Sequence, residues 1–194
     1  MSKIMVEVSA RHCHLTKEHV EKLFGKGYQL KILKMVSQPG QWASKEEIKI
    51  KGPKGELKLR IVGPARSATQ VELSVTECYR LGIKPVLRVS GDIKSTPGAF
   101  LIGPKGRIKI NQGVIVAQRH VHLSPNELKS LKLKKGKLVS VKIKGPRGLV
   151  FNNVIVRSGE GHKKSFQIDT DEGNACGWAP GMKGELIKLG FRNR

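Results

Sequence analysis

Short segments of alternating apolar and polar residues, cut by Gly and Pro, run through most of the chain. IKIKGPKGELKLRIVG (48–63) reads as two strands joined by a Gly-Pro-Lys-Gly turn. FLIGPKGRIKI (100–110) and VSVKIKGPRGLVFNNVIV (139–156) repeat the device. Many short strands at close spacing predict small antiparallel barrels or sandwiches. Helical stretches are brief. TKEHVEKLFG places Thr16 at an N-cap and Gly25 at a stop, and SVTECYRLGI (74–83) holds a helical turn ending near Gly82. SPNELKSLKL opens with Ser124, Pro125 at the first helical position and Glu127 three residues after the cap, which is a capping box with Pro at N1.

The same arrangement is written twice. VEVSARHCHLTKEHVEKLFGKGYQLKI aligns with VIVAQRHVHLSPNELKSLKLKKGKLVSV, each copy a strand, Arg-His-x-His-Leu, a capped helix, a Gly and another strand. A duplicated module explains this better than chance. The wide separation of the copies points to two similar barrels rather than a solenoid. The expected fold is therefore mainly β, with two packed small β-barrels related by internal duplication and short capped helices.

Composition narrows this only slightly. The 194 residues, 38% hydrophobic, suffice for one medium domain or two small ones with modest cores. With aromatics at 5%, those cores must rest on Val, Ile and Leu. No apolar run is long enough for a membrane helix. The start, MSKIMVEVSA, runs into a strand with neither a signal core nor an amphipathic leader. Cys13, Cys78 and Cys176 are odd in number, widely spaced and without a CxxC pair, which predicts free thiols and a cytoplasmic location. The net charge of +22 suits polyanionic partners such as nucleic acid, phosphate, nucleotide cofactors or acidic lipid. Dispersed lysines on solvated strands give the same total, so charge selects no partner by itself.

Candidate chemistry sits in the repeated phrase. In a strand, residues i and i+2 share a face, so His12 and His14 project together with Cys13 opposite, and His120 and His122 do the same with Val121 opposite. Two imidazoles on one face are a start for zinc, which needs further N, S or carboxylate ligands. An arginine before each pair suits an anionic substrate, because its fork matches phosphate oxygens. Glu72, on an alternating strand that follows Arg66, could complete a metal site or be an ordinary exposed strand Glu. FQIDTDEGNACGW (166–178) is the densest acidic stretch and could be a turn, a helix start or a hard-cation site, though it lacks calcium-loop spacing. Cys176 within it reads as a thiolate ligand or, more simply, a small core residue.

The blocks VEVSARHCHL, GPARSATQVELSVTECYRLGI, RVSGDIKSTPGAFLIGPKG, GVIVAQRHVHLS and IDTDEGNA together resemble the phosphate propanoyltransferase family, the PduL-type phosphotransacylases. The resemblance implies two packed β-barrels, one formed by 1–10 with 118–194 and the other by 11–117. It implies interconversion of acyl-CoA plus phosphate with acyl phosphate plus CoA at a two-metal zinc site. One zinc would be held by His12, His14 and Glu72. The other would be held by His120, His122 and a histidine from a block reading HIDTDEANA in the family. Here that position is Gln167, whose amide oxygen is a poorer zinc ligand than imidazole, and His162 is the nearest spare histidine. Arg66 matches the arginine that binds substrate phosphate, and Ser9, Lys34, Arg60 and Asn174 fall where CoA contacts are expected.

The mechanism this suggests is direct attack of phosphate on the thioester, with zinc and Arg66 holding phosphate and no Cys or Ser nucleophile. The phosphates of CoA account for a basic chain without nucleic acid. The resemblance further implies a homodimer acting in acetate metabolism, without the N-terminal peptide that directs microcompartment members. Competing readings are a zinc hydrolase of an acylated or phosphorylated substrate, a basic RNA-binding β-barrel, and a paralogue that binds CoA without turnover. The scarcity of aromatics for base stacking argues against RNA.

Overall fold

A computed structural model describes residues 2–187. In chain order its first elements are β1 (Ser2–Val8), β2 (His12–His14), α1 (Lys17–Phe24), β3 (Ile32–Met35), β4 (Trp42–Lys51) and β5 (Glu56–Gly63). Next come β6 (Gln70–Glu72), α2 (Val75–Leu81), β7 (Leu87–Arg88), β8 (Ala99–Ile102), β9 (Arg107–Ile110) and β10 (Val114–Ala117). The last are β11 (His120–Leu123), α3 (Pro125–Ser130), β12 (Leu138–Ile143), β13 (Leu149–Ser158), β14 (Ser165–Ile168), α4 (Thr170–Cys176) and β15 (Lys183–Ile187). The three hairpins expected from the Gly-Pro turns are β4–β5, β8–β9 and β12–β13. None of the described helices is long and apolar enough to cross a membrane.

The chain divides into two compact units. One takes the N-terminal segment through Ser9 together with the chain from Gln118 onward, and the other is Ala10–Ala117. Residues 188–194, within the range expected for the first barrel, lie outside the described residues.

The first unit is a closed barrel with strand order β1-β14-β11-β13-β12-β15. Alternation sets its faces. Ile4 and Val6 of β1, Val121 of β11, Val139 and Val141 of β12, Val154 and Val156 of β13 and Phe166 of β14 fill the inside, each at most 1% exposed. Closure falls to β15, which pairs antiparallel with β12 on one edge and with β1 on the other.

The second unit is a nine-stranded sheet, β7-β10-β6-β2-β5-β4-β8-β9, with β3 added on β4. Leu57, Leu59 and Ile61 of β5 alternate inward with Cys13, Ile48, Ile50, Val71 and Leu101. Of the two small barrels expected, this one is open: the sheet curves as a half-barrel. A strand has two hydrogen-bonding edges, and those of β8 are taken by β4 and by its hairpin partner β9. The path therefore ends on β9, which does not pair with β7 at the far end among the described residues, so no strand closes this unit as β15 closes the first.

The duplication is visible in the registers. β2 lies between a parallel partner, β5, and an antiparallel one, β6, which itself pairs parallel with β10. β11 lies between parallel β13 and antiparallel β14, which pairs parallel with β1. Each strand that precedes an Arg-His-x-His phrase thus serves the other unit: β1 runs into β2 yet completes the first unit, and β10 runs into β11 yet belongs to the second. Helices repeat as well. α2 and α4 follow the equivalent strands β6 and β14, each opened by a capping box (Ser74 with Glu77, Asp169 with Glu172). Each ends on a left-handed glycine, Gly82 at φ 71° and Gly177 at φ 65°. The acidic stretch left open above is therefore a helix start.

Candidate metal centre

In the second unit, His12 and His14 leave β2 on one face while Cys13 is wholly buried in the core behind them. The antiparallel register sets His12 opposite Glu72. One ligand atom from each of His12, His14 and Glu72 lies within 4.8 Å of the others. His12 Nδ1 is 2.9 Å from the Ala10 carbonyl and His14 Nδ1 is 2.9 Å from the Val62 carbonyl. A carbonyl only accepts, so both Nδ1 atoms carry the proton and both Nε2 lone pairs are left for a ligand. His12 Nε2 stands 3.7 Å from Glu72 Oε2, close to the roughly 3.4 Å that separates two ligands on a tetrahedral zinc. The other Glu72 oxygen, Oε1, accepts from Gln70 Nε2 at 2.7 Å and Ser90 Oγ at 2.8 Å. Burial, then the His12 and Arg66 charges, push the His14 imidazolium down to about 3, against smaller opposing pulls from Glu72 and the Val62 carbonyl. At neutral pH His14 is therefore the neutral, ligand-competent ring.

In the first unit the same register sets His120 opposite Gln167 and His122 opposite Ser165. His120 Nδ1 bonds the Gln118 carbonyl at 2.8 Å, as His12 does Ala10. The two Nε2 atoms of His120 and His122 face each other at 3.1 Å. Burial first, then His120, His162 and Arg157, push His122 down to about 3. His162 meets His122 at Nδ1, 3.2 Å away, on the side turned from His120. It therefore stands against His122 where the Val62 carbonyl stands against His14. Gln167 sits at the position that Glu72 fills in the second unit, and its amide donates to Glu7 Oε2 and, at 3.3 Å, to Ser165 Oγ.

His12, His14 and Glu72 suit zinc in ligand type, and the first unit offers two imidazoles with an amide in the place of the carboxylate. Among the described residues, His12, His14 and Glu72 alone form a three-ligand His/Cys/carboxylate group.

A sequence model of phosphate propanoyltransferase matches residues 5–179. A phosphate propanoyltransferase of Leptotrichia buccalis is 50% identical over 186 residues, which is 95% of this chain and 88% of the relative. One of Sebaldella termitidis is 46% identical over 188 residues, covering 96% and 89%. One of Listeria monocytogenes is 44% identical over 186 residues, covering 95% and 87%. The chain belongs to the phosphate propanoyltransferase family. It is an acyltransferase enzyme.

Within this family member, the arginines beside the histidine pairs are each met by a carboxylate of the chain. Arg11 Nη1 pairs with Glu77 at 2.8 Å and its Nε donates to the Lys58 carbonyl at 2.8 Å. Arg119 Nη1 lies 3.2 Å from Glu172 and its guanidinium stacks over Phe151. Glu77 and Glu172 are the third residues of the two capping boxes, so each arginine ties a histidine strand to the helix after the neighbouring strand. In the structure both arginines therefore act as clamps between strand and helix.

Arg66 is a different case. It follows the cis Gly63-Pro64 bond, its backbone N–H donates to the Leu15 carbonyl at 2.9 Å, and Nη2 donates to Gln41 Oε1 at 3.3 Å. The carbonyl that holds it belongs to the residue after His14. Of the expected CoA contacts, Lys34 is exposed on β3, and Arg60 opposes His12 across β5 but pairs with Glu47 at 2.6 Å. Ser9 and Asn174 belong to the first unit, with Ser9 N–H on the Ile168 carbonyl at 2.8 Å and Asn174 exposed on α4. All three cysteines are buried thiols, and burial pushes those of Cys13 and Cys176 upward.

Burial and the Asp169 charge push Glu172 up to about 7, against its Asp169 N–H bond and Arg119. A carboxyl whose folded pKa lies above its ordinary 4.5 stabilises the fold below the ordinary value, and that stability is lost as pH rises toward 7. Glu172→Gln keeps the capping bond and removes the titration. Its unfolding free energy, from urea titrations, should fall less than the wild type's across this pH window, by about 2 kcal/mol. An unchanged slope would place the titration elsewhere.

Proposed function

We propose that the chain interconverts acyl-CoA plus phosphate with acyl phosphate plus CoA by direct attack of phosphate on the thioester. The observation that carries the reading is the convergence of His12, His14 and Glu72, with the Arg66 segment bonded to Leu15 next to His14, in a member of this family. In the forward direction a phosphate oxygen bonds to the thioester carbonyl carbon, the C–S bond breaks, and CoA leaves as a thiolate that takes up a proton. A zinc ion held by His12, His14 and Glu72 would supply Lewis-acid polarisation of a coordinated oxygen. A second would be held by His120, His122 and the Gln167 amide oxygen.

The chain's own residues do the rest. Arg66 offers a planar, permanently charged fork that matches two phosphate oxygens, on a segment anchored through Leu15 to the strand of His14. The backbone carbonyls of Ala10 and Val62 keep His12 and His14 in the tautomer that points Nε2 outward. Gln70 and Ser90 hold one oxygen of Glu72 and so aim the other. No acyl-enzyme step is required: Cys13 lies in the core, and Cys176 donates to the Gly173 carbonyl. Acetyl-CoA or propanoyl-CoA is the proposed acyl donor.

Purified protein loaded with zinc should convert acetyl-CoA and phosphate to acetyl phosphate and CoA in equal amounts. CoA release without phosphate would replace this reading with hydrolysis. An acyl group trapped on a cysteine would end the direct-attack mechanism.

A further inference from the structure

Gln167 is odd for a zinc ligand, because an amide can present either its oxygen or its NH2 group. The NH2 face would repel a cation. What decides the matter is Glu7. Across β1, β14 and β11 the registers align Glu7, Gln167 and His120 in one row. Directly paired residues share a face, and the core-facing neighbours Val6, Phe166 and Val121 show that this row lies on the outside of the barrel. A carboxylate can only accept, so the Gln167 Nε2 that meets Glu7 Oε2 must be the NH2 group. The second amide contact, to Ser165 Oγ, is also through Nε2. No donor among the described residues is bonded to Oε1.

The duplication shows what this arrangement replaces. In the second unit the row reads His12, Glu72, Ile115, with the carboxylate on the strand next to the histidines. In the first it reads His120, Gln167, Glu7, with the carboxylate one strand further out. Aligning the two copies places Glu7 against Ile115, so the two positions have exchanged their carboxylate and neutral members together. Each row keeps one negative charge.

We propose that Glu7 is the positioning residue of the first unit's metal set: it locks the Gln167 amide with Oε1 toward His120 and lends that oxygen anionic character. Charge reaches Oε1 through the hydrogen bond, as a carboxylate behind a ligating histidine raises the basicity of the ring. This rests on the reading of His120 and His122 as metal ligands.

The test is zinc titration of the full chain against a competing chromophoric chelator, with cobalt absorption spectra as a second readout. The wild type should bind two equivalents, and His120→Ala identifies the one belonging to the first unit. Glu7→Gln should weaken that equivalent by about 10–100-fold, alter its cobalt bands and leave the other untouched. The double variant Glu7→Gln with Gln167→Glu returns the carboxylate to the strand beside the histidines and should recover at least wild-type affinity. A merely structural Glu7–Gln167 bond would give no such recovery. Glu7→Gln with both affinities and the cobalt spectrum of the wild type would overturn the role of Glu7. His120→Ala retaining both equivalents would overturn the first unit's metal reading, and this inference with it.

Discussion

His14→Ala should remove one zinc equivalent per chain and lower kcat/KM for acyl transfer by about 1,000-fold or more. Lewis-acid polarisation contributes several kcal/mol to a transition state, and each 1.4 kcal/mol is about tenfold in rate. On the proposed zinc reading, His14 is the ligand whose loss is hardest to replace. It is 2% exposed, and its ring is held through Nδ1 to the Val62 carbonyl. A water in the vacated space would satisfy that carbonyl but could not hold a cation in the same place. Elemental analysis of the purified variant and the acetyl phosphate assay give the two readings, with circular dichroism to show that the sheet persists. Zinc lost with the rate unchanged would separate the metal from the chemistry.

The parts of this site that obey local rules are legible in the sequence. His12 and His14 share a face because strand period is two, and the same period puts Gln70 beside Glu72. Ser124, Pro125 and Glu127 announce α3 before any tertiary contact is known, since a cap is satisfied within one turn. The acidic stretch at 169–172 carries a cap of the same form, with Asp169 in place of Ser or Thr, and so was harder to separate from a cation site. What depends on pairing between distant strands is not legible. Glu7 meets Gln167 only because β1 runs parallel to β14, and no periodicity in either segment encodes that partner. The partners of the arginines are hidden for the same reason: Arg11 and Arg119 sit beside histidines in sequence, but they pair with Glu77 and Glu172 on helices far along the chain. Likewise the second unit is a half-barrel because its end strands, β9 and β7, do not pair with each other among the described residues, whereas the alternation of either strand alone fits both outcomes.

Arg66 carries the other large effect, and its variants distinguish which phosphate it serves. If it holds the attacking phosphate, Arg66→Gln should cut kcat/KM for phosphate by about 100–1,000-fold, with little change in the KM for acetyl-CoA. Arg66→Lys keeps the charge but loses the two-pronged geometry, so it should recover only part of the loss. The backbone contact to Leu15 does not involve the side chain, so neither substitution removes the anchor of the segment. Gln41, which accepts from the guanidinium, is left with a partner in Arg66→Lys if the ammonium reaches it. Should the KM for acetyl-CoA rise instead and that for phosphate stay level, Arg66 binds a CoA phosphate. The attacking phosphate would then have to be held without it. The backbone bond from Arg66 to Leu15, the residue after His14, is what favours the first outcome.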